Sequence, residues 1–470
     1  MAQGVEHIGK EDVAWSYAAT FFWVGSGLIL FPFILNKMPA ETVGIWNIFQ
    51  TITVMVAILD FGFQPSFARN LSYIFSGVKS LRKEGVAALE NARNGNEKDI
   101  EDKSVVDYGL LQGTLVAMQR LFRLISLTAF LLLATAGTVY FLYILGKYSG
   151  DRTDAIAGWI LLIILNCYDL YTLYYDALLK GKGYVRRSQQ IMILSQAVYV
   201  LLAIGLIYAG LGLSAIVASR IVSIVIRRTL SRRIFFTREM REALRGVEAH
   251  DSKEIMHAIY PNAVKIGLTQ LGSLAVNKSA MLIGAAFLTL EEVASYGITL
   301  QLLEILCNCS TVPYRAFSPK LAQCRAEKDM AGLRHYYIIC EAILLGIWII
   351  GGSASVLFGD YALRLINSQT FFLPTAMFAV MVGFHMLEDN QVMASGFIMS
   401  DNRIPFFIPS LLSGAATVLL LWLFLDVLGW GVWGMILAPG IAQLAYQDWK
   451  WPGVILKELF VGHKQGETNV

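Results

Sequence analysis

Along this 470-residue chain the apolar positions fall in long unbroken runs, each closed by a cluster of charged or polar residues. A helix needs about 20 predominantly apolar residues to cross the hydrocarbon of a bilayer. Twelve stretches meet that requirement: 14–35, 43–63, 121–145, 156–176, 190–209, 212–229, 259–287, 293–314, 336–358, 371–394, 405–425 and 431–449. The strict apolar/polar alternation of a transmembrane barrel is missing from all of them. The pattern predicts an all-α integral membrane protein of about twelve transmembrane helices.

Lysine and arginine set the orientation, because cytoplasmic loops retain an excess of them. With the N-terminus inside, 31 of the 38 lie in inner segments or at the inner ends of spans, four (Lys37, Lys147, Arg152, Arg364) lie in outer loops, and three (Arg220, Lys265, Lys278) lie deeper inside spans. Both termini are therefore expected in the cytoplasm. Two inner stretches are long. Residues 77–107 form a mixed-sign, helix-prone insertion, and residues 230–256 form a basic linker. The chain accordingly divides into an N-terminal six-helix bundle over 1–229, the linker, and a C-terminal six-helix bundle over 257–470.

The two halves show weak internal similarity. Gly181 after span four aligns with Gly396 after span ten at an offset of 215, and Phe67 after span two aligns with Lys320 after span eight at 253. The difference of 38 is close to the length of the insertion in the first half. A duplicated unit with a site near the midplane is a common transporter plan.

Composition narrows the function classes. Residues of the AVILMFWYC set make up 56% of the chain and charged residues 16%, with mean hydropathy +0.55. A soluble domain carries roughly 25% charge to wet its surface. Disordered chains, soluble enzymes and nucleic-acid binders are excluded on this ground. The five cysteines have no CxxC spacing, so neither a disulfide framework nor a metal site is read from them. No Walker-type GxxxxGK[ST], HExxH or GxSxG sequence occurs, and no cofactor is expected. The first apolar run is too long for a cleavable signal. Trp15, Trp46, Tyr148, Trp449 and Trp451 near span ends read as interface anchors, and Pro32, Pro261, Pro374, Pro409 and Pro439 as interruptions of spans.

Ionisable groups at membrane depth are the informative residues, since each costs at least about 2.5–3.5 kcal/mol at a helix centre unless paired or hydrated. Arg220, Lys265 and Lys278 are the cationic candidates for binding an anionic substrate headgroup. Glu304, Asp169 and Glu388 are the candidates for coupling to an ion, H+ or Na+, with Asp176, His385 and Asp389 beside them. A purely structural pair, such as Lys278 with Glu304, stays open as the alternative, and Asp176 and Lys265 near span ends are placed to snorkel. Lys265 and Lys278 lie 13 residues apart, about 220° around a straight helix, so both face one narrow pocket only if the helix bends. The basic run 227–245 is assigned to anionic membrane lipid, with no nucleic-acid partner.

Several phrases resemble a known family. Gly44-Ile45-Trp46-Asn47-Ile48-Phe49, Leu59-Asp60-Phe61-Gly62-Phe63 with Arg69, Leu178 through Arg187, Val293-Ala294-Ser295-Tyr296-Gly297, Val312-Pro313 and Pro319-Lys320-Leu321 are similar to bacterial O-antigen and exopolysaccharide lipid-linked oligosaccharide flippases. Those flippases belong to the multidrug/oligosaccharidyl-lipid/polysaccharide exporter (MOP) superfamily. The resemblance implies two six-helix bundles related by a pseudo-twofold in a V-shaped transporter of the inner membrane, working by alternating access. It implies an undecaprenyl-diphosphate-linked glycan as substrate and other polysaccharide-assembly proteins as partners. A cation-coupled multidrug exporter of the same superfamily is the alternative, disfavoured by the Lys and Arg inside spans. A polymerase or ligase is disfavoured by the short outer loops. A topology reporter fused after Val470 should read cytoplasmic; an external signal overturns the assignment of the loops.

Overall fold

The computed structural model describes residues 10–75, 106–327, 329–399 and 405–461. The 77–107 insertion lies outside them except for its last two residues. The described residues are almost all helical, with no strand among them. Two compact units emerge, one of residues 1–34 and 52–270, the other of residues 35–51 and 271–470.

The first unit holds most of α1 (Lys10–Lys37), the C-terminal part of α2 (Ala40–Ala57) and α3 (Phe63–Phe75). It continues with α4 (Tyr108–Leu145), α5 (Arg152–Thr172), α6 (Tyr174–Gly181), α7 (Val185–Tyr208), α8 (Leu213–Phe235) and the short α9 (Arg238–Leu244). It ends within α10 (Ser252–Phe287), at Gln270. The second unit takes the rest of α10, the N-terminal part of α2, α11 (Leu290–Ser310), α12 (Val312–Glu327) and α13 (Met330–Leu365). It closes with α14 (Thr375–Met399), α15 (Phe407–Val427), α16 (Val432–Leu444) and α17 (Gln447–Leu456). Each of the twelve apolar stretches is occupied by a helix. Seven helices among the described residues are long and apolar enough to cross a membrane by composition alone. Helices such as α8 and α10 fall short in apolarity because they carry Arg220, Arg227, Arg228 and Lys278.

Polar residues start the helices where the sequence places them. Asp107 accepts from the Leu110 amide at 2.9 Å to open α4, and Asp151 accepts from Thr153 at 2.9 Å to open α5. Thr289 and Glu292 form a reciprocal capping box at α11. Asp154 caps from a distance, taking the Ser214 amide at the start of α8 at 3.2 Å. The Asp60-Phe61-Gly62 phrase is a helix break. Phe61 (φ 46°) and Gly62 (φ 72°) are both left-handed, and Asp60 accepts from the Gln64 amide at 3.0 Å to restart the chain as α3. The motif is a cap, and Arg69 is exposed with no ion pair among the described residues.

The two units repeat local detail. A π-turn interrupts α4 at Leu133–Gly137 and α13 at Trp348–Gly352, 215 positions later. A Cβ on Gly181 would strike Leu71 of α3 and the Ala68 carbonyl, and one on Gly396 would strike the Tyr314 ring of α12. In each unit a glycine thus admits the helix that follows its second span. The N-terminal part of α2 crosses α11 just as closely. Gly44 lies on the Leu290 carbonyl, Gly297 lies on Asn47, and Asn47 Oδ1 accepts from Gln301 Nε2 at 2.6 Å.

Several expectations need correction. Trp46, Tyr148 and Trp451 are core residues, at most 6% exposed, whereas Trp449 is exposed as an anchor should be. These rings are large enough that burying them between helices outweighs their preference for the interface. Pro374 precedes α14 and Pro409 sits in the first turn of α15, where a missing amide costs nothing; Pro32 and Pro439 do lie inside helices. The final span is broken, because α16 ends at Leu444 and α17 begins at Gln447.

Gly181→Leu should destabilise the purified protein by about 1–3 kcal/mol, the usual cost of overpacking. Gly205→Ala, with nothing within 4 Å of its added methyl, should be neutral or stabilising by up to about 1 kcal/mol. Thermal unfolding in detergent reads both, and equal effects would refute the close packing at Gly181.

Candidate functional site: a carboxylate cavity and an arginine with neutral partners

The candidate residues fall in different surroundings. On α8, Arg228 is 3% exposed at its side chain, pairs with Asp169 and brings Nη1 within 2.7 Å of Asp176 Oδ1. Arg227, 30% exposed, also pairs with Asp176. Asp169, expected as a coupling residue, is therefore held in an ionic cluster beside α5 and α6 of the first unit. Asp176 is buried within the same cluster, so it does not snorkel. Arg228 reads as a loop cation in the sequence because it stands among basic residues; its burial follows from α8 continuing as one helix to Phe235.

Arg220 lies two turns earlier on α8. Its Nη1 donates to Gln196 Oε1 at 2.9 Å and its guanidinium stacks over the Tyr199 ring at 5.0 Å. Gln196 in turn donates to Ser26 Oγ at 2.8 Å. Every one of these partners is neutral, and no carboxylate pairs with Arg220 among the described residues. Its positive charge is fixed in position and uncancelled.

In the second unit Lys278 forms an ion pair with Glu304, which removes both from the pool of free charges. The side chain of Lys265 lies outside the described residues. Asp389 is buried and accepts from Ser310 Oγ and Trp348 Nε1, each at 2.8 Å. These two donors tie α14 to α11 and to the π-turn of α13.

Glu388, its neighbour in sequence, turns to a different environment. It lies 3.4 Å from His385 Nδ1 on the same helix and lines a cavity with Asn277, Tyr296, Pro439, Gln443 and Asp448. The cavity belongs wholly to the second unit, and no Lys or Arg lines it among the described residues. Its volume is about 30 Å³, room for about two waters. Asp448 is 6% exposed, and both its carboxylate oxygens are buried without a hydrogen-bond partner among the described residues. It sits in the first turn of α17, immediately after the break in the last span. Pro439 has no amide, so the Met435 carbonyl goes without its helical donor. Two acids, a histidine and a broken helix thus converge on a space the size of a small ion. Sequence reasoning misses Asp448 because it lies beside Trp449 and Lys450, where the apolar pattern gives out at the interface.

No family model and no curated protein sequence matches the chain. Solved structures do match over nearly the whole length. The MATE multidrug transporter DinF-BH, solved as a complex, is 15% identical, with TM-score 0.60, covering 98% of this chain and 100% of that one. An inward-facing multidrug resistance MATE family transporter of the MOP superfamily is 15% identical, with TM-score 0.59, covering 94% and 95%. A MOP superfamily transporter from Pyrococcus furiosus, described as having a binding pocket of reverse polarity, is 13% identical, with TM-score 0.52, covering 96% and 97%. The chain has the MATE transporter fold. That fold is a multi-pass membrane architecture, in keeping with the apolar helices described above.

Arg228→Gln should cost about 3–5 kcal/mol, because it removes the buried cation shared by Asp169 and Asp176 and leaves the buried Asp176 only the partly exposed Arg227. Arg227→Gln, at a partly exposed pair, should cost about 0–1 kcal/mol. Folded yield and thermal unfolding in detergent separate the two; equal losses would show that the cluster does not depend on Arg228.

Proposed function

We propose that this chain is a cation-coupled exporter of the MATE fold, with H+ or Na+ taken up by Glu388 and Asp448. The observation that carries this reading is the Asp448 carboxylate, buried in a cavity without a hydrogen-bond donor or a basic Lys or Arg side chain among the described residues. Two carboxylates in a low-dielectric space cannot both stay charged and unpaired. One must bind a proton, or the two must share a cation. At about 30 Å³ the cavity fits the coupling ion and is too small for an organic cargo, for which sites run to roughly 300 Å³ and above. Occupancy would draw α14, α16 and α17 together, and the break before α17 is where the last span can yield. The exported molecule, by likeness to the multidrug MATE structures, is an amphipathic organic compound.

A second reading rests on Arg220. A guanidinium whose partners are all neutral favours an anionic group, such as the diphosphate of an undecaprenyl-linked oligosaccharide in the bacterial inner membrane. Lys278 lends this reading no support while Glu304 neutralises it.

In proteoliposomes with an imposed H+ or Na+ gradient, Asp448→Asn and Glu388→Gln should each slow uphill export of a fluorescent amphipathic cation at least about tenfold, about 1.4 kcal/mol in the barrier. Unchanged export by both variants would remove the cavity from the coupling path. Under the second reading it is Arg220→Gln that abolishes activity, measured as loss of surface glycan in the native host.

A further inference from the structure

A second, larger hollow lies in the first unit, between α4 and the first turns of α10, with a volume of about 590 Å³. Its walls follow from local sequence. Gly113 of α4 has no Cβ, and one placed there would lie 2.6 Å from the His250 carbonyl and 2.9 Å from Ile255 Cδ1. The His250 amide donates to the Gly109 carbonyl at 3.2 Å, so the end of the linker is strapped along α4 and α10 starts against it. Two turns beyond Gly113, Arg120 Nη1 donates to Ser252 Oγ at 2.9 Å, which holds the guanidinium across the mouth of the hollow.

The lining has a definite order. Arg120 is followed one turn deeper on α4 by Leu124, and Lys253 is followed on α10 by His257 and then Tyr260. Both helices run inward from the same end, so Arg120 and Lys253 form a rim, Leu124 and His257 lie about 6 Å further in, and Tyr260 lies about 10 Å in. Leu124 and Tyr260 are 61% and 57% exposed. Among the described residues no carboxylate lines the hollow, and Arg120, Lys253 and His257 take part in no ion pair. A free anion would need the rim alone. The apolar wall below it matches a molecule with a phosphate at one end and hydrocarbon at the other.

We propose that this groove holds an anionic phospholipid, its phosphate against Arg120 and Lys253 and its acyl chain along Leu124, Met256 and Tyr260. Bound there, the lipid bridges α4 and α10 within the first unit. The site is separate from the carboxylate cavity, and neither depends on the other.

Native mass spectrometry of the full-length protein, titrated with phosphatidylglycerol or with phosphatidylcholine of the same chains, tests this. The wild type should retain phosphatidylglycerol preferentially. Arg120→Gln and Lys253→Gln should each weaken that retention about fivefold, the factor corresponding to about 1 kcal/mol per surface cation, and the double variant about 25-fold. Arg120→Lys should keep it, which separates loss of charge from loss of fold. Leu124→Gln should weaken retention of phosphatidylglycerol while leaving the rim intact. Equal retention of the two lipids by the wild type, or unchanged retention by the double variant, overturns the proposal. Loss in Arg120→Gln with no effect of Leu124→Gln also overturns it, as binding of the headgroup alone.

Discussion

A charge carried into hydrocarbon must be matched, and most of this architecture is a set of answers to that demand. Arg228 is closed in by Asp169 and Asp176. Outside the spans, Arg325 pairs with Glu458 where both are about nine-tenths buried. Lys278 takes Glu304, and Asp389 takes hydroxyl and indole donors instead of a cation. Such pairs gain little net stability over apolar packing, but breaking one is costly, so they fix which helices are neighbours. Against this background two groups stand out. Arg220 is surrounded by neutral partners, and Asp448 has none among the described residues. They have opposite sign and belong to different units, which is why one main reading and one rival arise.

Backbone irregularities lie close to these groups. The last span breaks between Leu444 and Gln447, one residue before Asp448, and Pro439 and Gly440 line the same cavity. A continuous helix would bring only satisfied carbonyls to that depth, whereas a broken one brings free polar groups where an ion can use them. The π-turn at Trp348 plays a related part by delivering the indole to Asp389. Beside its counterpart at Leu133–Gly137 the indole meets a neutral group instead, as Trp159 Nε1 donates to the Thr138 hydroxyl at 3.1 Å. The π-turn occurs in both units, but the indole comes from the turn itself in one and from α5 in the other.

The apolar runs and the absence of alternation were enough to foresee an all-helical membrane protein, because those features act within a few residues of one another. The spacing between Gly181 and Gly396 likewise pointed to duplicated packing, since a helix crossing that tight leaves a glycine on the chain. Whether a given charge is free, paired or buried was decided only by the tertiary structure. Arg228 and Arg220 are separated by two turns of one helix and carry the same charge, yet one is cancelled and the other is not. Asp448 stood at the end of its span, beside Trp449 and Lys450, and only the helix break turned it inward. Partnership between side chains hundreds of residues apart depends on which helix faces meet, and no local pattern in the sequence carries that information.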